Sequence, residues 1–143
     1  DEKDNIIKDN LVRNLVIFSV LISLFQIVIG TQVREFIDLQ YEILGPKNKD
    51  KWLDAPDFYF YFHRTFSILI LIINFTLFYL IKTKKYSSRI IEKIVFVIFL
   101  EILVGVIMFY IDFPIFSQPI HLLLATILFG LQFYCMLHFK KTY

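Results

Sequence analysis

Four apolar runs divide the chain: Leu11–Val33, Phe58–Ile81, Ile94–Ile111 and Gln118–Phe139. Each approaches or exceeds the roughly 18–20 residues that a helix needs to cross a bilayer core. Between the first and second runs the pattern changes. Val33, Phe36, Ile37, Tyr41 and Leu44 recur at helical spacing, with Arg34, Glu35, Asp38 and Glu42 between them. This predicts a short amphipathic helix in the first outer loop, stopped by Gly45-Pro46. It would lie on the membrane surface or roof the bundle. Lys47–Lys51 reads as a solvated turn, Trp52 as a membrane-interface anchor, and Asp54, Pro56 and Asp57 as a helix start. The expected fold is all-α: an integral membrane four-helix bundle, with residues 1–10 as tail or connector and 11–143 as the transmembrane domain.

Composition agrees. Of 143 residues, 57% are hydrophobic and 18% aromatic, and the mean hydropathy is +0.64, well above a soluble domain of this size. The net charge of +2 matters less than where the cations lie. Ten sit on one side: Lys3, Lys8, Arg13, Lys82, Lys84, Lys85, Arg89, Lys93, Lys140 and Lys141. Arg34, Lys47, Lys49 and Lys51 sit on the other. The positive-inside bias puts both termini in the cytoplasm. The lone Cys135 excludes an intramolecular disulfide and a cysteine-based metal site. A chain that opens on Asp1, with no cleavable signal pattern, is expected to be a piece of a longer polypeptide.

Two histidines stand out. His63 lies roughly 8 Å, and His121 roughly 5 Å, inside the outer end of its helix. Pro119 opens the second of these helices. Gly30 and Gly105 lie roughly 5 and 9 Å from the outer ends of theirs. An imidazole in hydrocarbon is costly unless satisfied, and facing helices of a bundle commonly build cofactor sites. Three readings stay open on spacing alone: one heme iron ligated by both rings, a packing or proton-relay pair, or another metal. Under the first, the glycines make room for the macrocycle and the Phe and Tyr residues around His63 wall it. Arg64, helped by Arg34 or Gln118, reaches a propionate. The alternative for Arg64 is a snorkelling or loop-paired side chain. Zinc would want further ligands. His138 reads as an interfacial residue. Glu101, deep in the third run, handles protons or bonds Asn74, Gln26 or Gln132. Ser19, Ser23 and Gln26 suit interhelical hydrogen bonds. The sequence also carries a weak internal echo, a glycine helix followed by a histidine helix, twice.

The strings IGTQVREFID (29–38), FHR (62–64), EILVGVIMFY (101–110) and QPIHLLLA (118–125) resemble heme A synthase, and the resemblance spans nearly the whole chain. That family has two related four-helix halves, and this sequence looks like the C-terminal one. The resemblance implies a bis-histidine heme b held by His63 and His121. It also implies a bacterial cytoplasmic membrane and a role in oxidising the C8 methyl of heme O to the formyl of heme A for cytochrome oxidase. The implied partners are heme O and heme A, membrane lipid, and either an N-terminal half of the same enzyme or a second copy; no nucleic acid is implied. The first-half motif has a glutamate one turn before its first histidine, where this chain has Phe60, and the loop cysteine pair of some members is absent. The expectation is therefore a half that holds the cofactor, with no catalytic residue of its own for the oxidation. The competing functions are a self-pairing half-length synthase, an electron-transfer cytochrome b, and a cofactor-free assembly subunit.

Overall fold

The structure, a computed structural model, describes residues 9–85 and 89–137. Lys3, Lys8, His138, Phe139, Lys140 and Lys141 lie outside the described residues. Within them the chain is helical, with four α-helices and no strand: α1 (Asn10–Leu44), α2 (Phe58–Thr83), α3 (Arg89–Tyr110) and α4 (Ser117–Leu137). Three of these, α1, α2 and α4, are long and apolar enough to cross a membrane.

The amphipathic segment expected in the first loop is not a separate element. It is the last third of α1, which runs unbroken for 35 residues, about 52 Å. Nothing between Val33 and Leu44 interrupts the backbone ladder, and the helix stops only at Gly45, whose positive φ of 77° suits glycine. Asp9 caps the other end, accepting from the Leu11 and Val12 amides. Asp57 caps α2 through the Phe60 amide, as expected. The α4 helix starts at Ser117, so Pro119 falls within the first turn, where its missing N–H leaves no bond unmade.

Each helix packs on its chain neighbours, and α1 also packs on α4, closing a square in which α2 and α4 form one diagonal and α1 and α3 the other. Short connections make neighbours antiparallel, so α2 and α4 begin at the same end. The main apolar cluster lies at the opposite end: Val12, Val16, Leu77, Ile81, Ile91, Ile94, Ile98 and Cys135 are all buried there. The outer surface is also apolar, with Phe18, Leu21, Phe75, Phe96, Phe99, Leu123 and Ile127 exposed. Polar side chains go inside instead. Ser19 donates to Asn74 at 3.0 Å, and Gln132 donates to Ser19 at 2.9 Å. This knot ties α1, α2 and α4 at mid-bundle, the arrangement that bundles in lipid favour.

Trp52 is no interface anchor. It is 5% exposed and wedged between Tyr41 and Phe113, at centroid distances of 5.7 and 5.6 Å. Its indole N–H donates to Gly45 O. The turn around it is only partly solvated, because Lys49 Nζ donates to Phe113 O at 3.2 Å. Trp52 and Lys49 thereby pin the first loop to the third. That third loop carries positive φ at Asp112, Phe113 and Phe116. Such values are uncommon for residues other than glycine and fit so short a reversal.

Candidate functional site

His63 and His121 face each other across the α2–α4 diagonal, with ring centroids 6.2 Å apart and planes at 70°. The matched depths inferred from the sequence are therefore realised. The square makes this possible: α2 and α4 have no backbone contact, so the gap between them is filled by side chains. Both Nδ1 atoms are buried without an aligned hydrogen-bond partner. Among the described residues no group of three or more His, Cys, Asp or Glu converges as a metal site.

The two glycines complete the layer from the other diagonal, each against one ring. A Cβ built on Gly30 would lie 3.2 Å from His63 Cε1, and one on Gly105 would lie 3.9 Å from His121 Cε1. The first separation is tighter than ordinary contact; the second is ordinary. A side chain at Gly30 would thus press on the His63 ring. Gln26, one turn deeper on α1, donates to His63 O at 2.8 Å and ties the two helices at this level.

Aromatic side chains near His63 in the chain pack on neighbouring helices. Phe62 packs on Phe66 and Phe25, with centroids 4.5 and 6.4 Å away, joining α2 to α1. Phe60 stacks on Phe109 at 5.7 Å and 25°, joining α2 to α3. Tyr61 instead points outward under Arg64, whose guanidinium lies 5.5 Å from its ring centre. Arg64 is exposed at the bundle surface. Arg34, also exposed, pairs with Asp38 at 3.6 Å. Gln118 lines a cavity of about 340 Å³ at the end of the bundle where α4 begins, shared with Ile37, Asp38, Tyr41, Trp52 and Phe113. Neither histidine lines that cavity.

Glu101 departs from expectation. Asn74 and Gln132 bond to Ser19, and Gln26 to His63 O, and among the described residues none of the three bonds to Glu101. Its Oε2 lies instead 2.5 Å from His121 Nδ1, as an ion-pair approach not aligned as a hydrogen bond. The sequence places Glu101 one turn below Gly105, which suggested too deep a level. A glutamate side chain spans most of a turn of about 5.4 Å, and the α3–α4 register brings it within reach.

Comparison with curated proteins and with solved structures gave no match. The COX15-CtaA family model, described as cytochrome oxidase assembly protein, matches residues 2–133. With a match over nearly its whole length, the chain belongs to this family, the heme A synthase family.

Proposed function

We propose that the chain is the heme b-binding half of a heme A synthase, holding its cofactor between His63 and His121. In this reading it supports the oxidation of the heme O C8 methyl to the formyl of heme A and does not perform it. The observation that carries the reading is the pair of imidazoles at one depth, 6.2 Å apart. A separation of that order would leave room for one metal ion between the rings. The donor set fits as well. Two histidines without a third ligand suit an iron whose other positions are filled by a macrocycle, and suit zinc poorly.

When bound, heme would supply a one-electron carrier tuned by its axial ligands and its burial. The chain's own residues do the rest. His63 and His121 ligate. Gly30 and Gly105 give the rings room, and Gln26 steadies the backbone of His63. Phe25, Phe62, Phe66 and the Phe60–Phe109 stack exclude water. Arg64 and Gln118, at the surface and the outer rim, serve the carboxylates of the cofactor. Phe60 where the first-half motif has glutamate supports a holding role.

The same reading makes α3 the fourth span. Its 22 residues reach about 33 Å, and Phe96, Phe99, Leu103 and Val106 on its outer face are exposed and apolar. The termini then lie on the cytoplasmic side of a bacterial membrane, with the histidines near the outer surface. The partner is an N-terminal half or a second copy.

The test is a reduced-minus-oxidised absorption spectrum of protein purified from heme-replete cells, with pigment extraction. The expected result is a sharp α band from extractable heme b, lost in both His63→Ala and His121→Ala while circular dichroism stays helical. A colourless wild type, or a band that survives both substitutions, overturns the reading.

A further inference from the structure

We propose that Glu101 is a positioning residue for His121, holding the Nδ1 proton so that Nε2 presents its lone pair to the metal. This rests on the heme reading above. Glu101 is 9% exposed at a level where an acid is costly unless it has a task or a partner. The hydrogen bonds that join Ser19, Asn74 and Gln132 do not include it. Oε1 has no aligned partner, and Oε2 lies 2.5 Å from His121 Nδ1. At that distance the carboxylate stands within reach of a proton on Nδ1.

A carboxylate set against Nδ1 leaves Nε2 as the free donor and makes the ring a more basic ligand, as carboxylate–histidine pairs do at metal sites. The two histidines are unlike in this respect. The Cε1–Nδ1 edge of His63 meets Gly30, within 3.2 and 3.6 Å of where a Cβ would stand, and no acid is placed there among the described residues. The pair is therefore electronically lopsided, with His121 the more strongly donating ligand and the one that favours ferric iron.

The test uses the purified protein with its bound heme, comparing wild type with Glu101→Gln and Glu101→Asp. Glutamine keeps the size but accepts more weakly, and aspartate keeps the charge but withdraws it by one methylene. Glu101→Gln should retain the α band, raise the heme midpoint potential, and shift the low-spin electron paramagnetic resonance signal. Its heme affinity should fall about 10- to 100-fold. Glu101→Asp should move the potential in the same direction and by less. Unchanged potential and resonance signal in a folded Glu101→Gln protein overturn the proposal. If that variant does not fold, the same null result in Glu101→Asp does so. A wild type without heme instead defeats the underlying reading and is visible before any variant is made.

Discussion

Adding one methyl at each of the two glycines separates a ring-bearing contact from ordinary helix packing. In Gly30→Ala the new Cβ would stand 3.2 Å from His63 Cε1 and 3.6 Å from Nδ1. Carbon–carbon contacts settle at about 3.5–4.0 Å, so the imidazole must yield by a few tenths of an ångström. Overpacking of this kind costs about 1–3 kcal/mol. Alanine regains about 0.5–1 kcal/mol over glycine inside a helix. The net effect is a loss of about 0–2.5 kcal/mol, concentrated on His63. In Gly105→Ala the methyl stands 3.9 Å from His121 Cε1, an ordinary contact, so only the gain of about 0.5–1 kcal/mol remains. The two variants should therefore differ by about 1–3 kcal/mol, or about 5- to 150-fold in an equilibrium constant. Thermal unfolding in detergent followed by circular dichroism reads the stability, and titration of bound heme reads the displaced ring. Gly30→Ala should be the worse variant in both. If Gly105→Ala proves equally harmful, or more so, the assignment of Gly30 to the His63 ring is wrong.

Three further outcomes are expected. The Lys84 ammonium, hydrogen-bonded to Asp9, holds that carboxyl below its usual value of 3.8. A depressed folded-state pKa gives stability that is present above the unfolded value and lost as pH falls through the folded one. Asp9→Asn keeps the helix cap and should be less stable than wild type at pH 7, with the gap in melting temperature closing below about pH 4; a gap independent of pH refutes the ion pair. Trp52→Ala removes a buried indole from between Tyr41 and Phe113, at about 3–5 kcal/mol, and should expose the first outer loop to protease. As the sole tryptophan, Trp52 should also resist acrylamide quenching in wild type, and free quenching would place it outside. Asn74→Leu takes away the acceptor of the buried Ser19 hydroxyl and should cost about 1–3 kcal/mol in denaturant titration, whereas a neutral result makes the polar knot incidental.

The sequence by itself determined the helices and the layer. Run lengths, the Gly45 stop, the Asp57 cap and the depths of His63 and His121 are local properties, fixed by hydrophobic span, capping chemistry and a constant rise per residue. Periodicity alone misread the end of α1, because an amphipathic stretch looks the same whether it is a separate surface helix or the projecting end of a longer one. Pairing was beyond reach for a different reason. Which helix stands diagonal to which, and how far α3 slides along α4, depends on loop geometry and on packing between residues far apart in the chain. The sequence therefore offered Asn74, Gln26 and Gln132 as equal partners for Glu101, and tertiary structure chose His121. The same packing drew Trp52 inward, where Tyr41, Phe113 and Gly45 O satisfy its ring and its N–H better than a lipid interface would. Segment chemistry sets depth, and only the assembled bundle sets who meets whom at that depth.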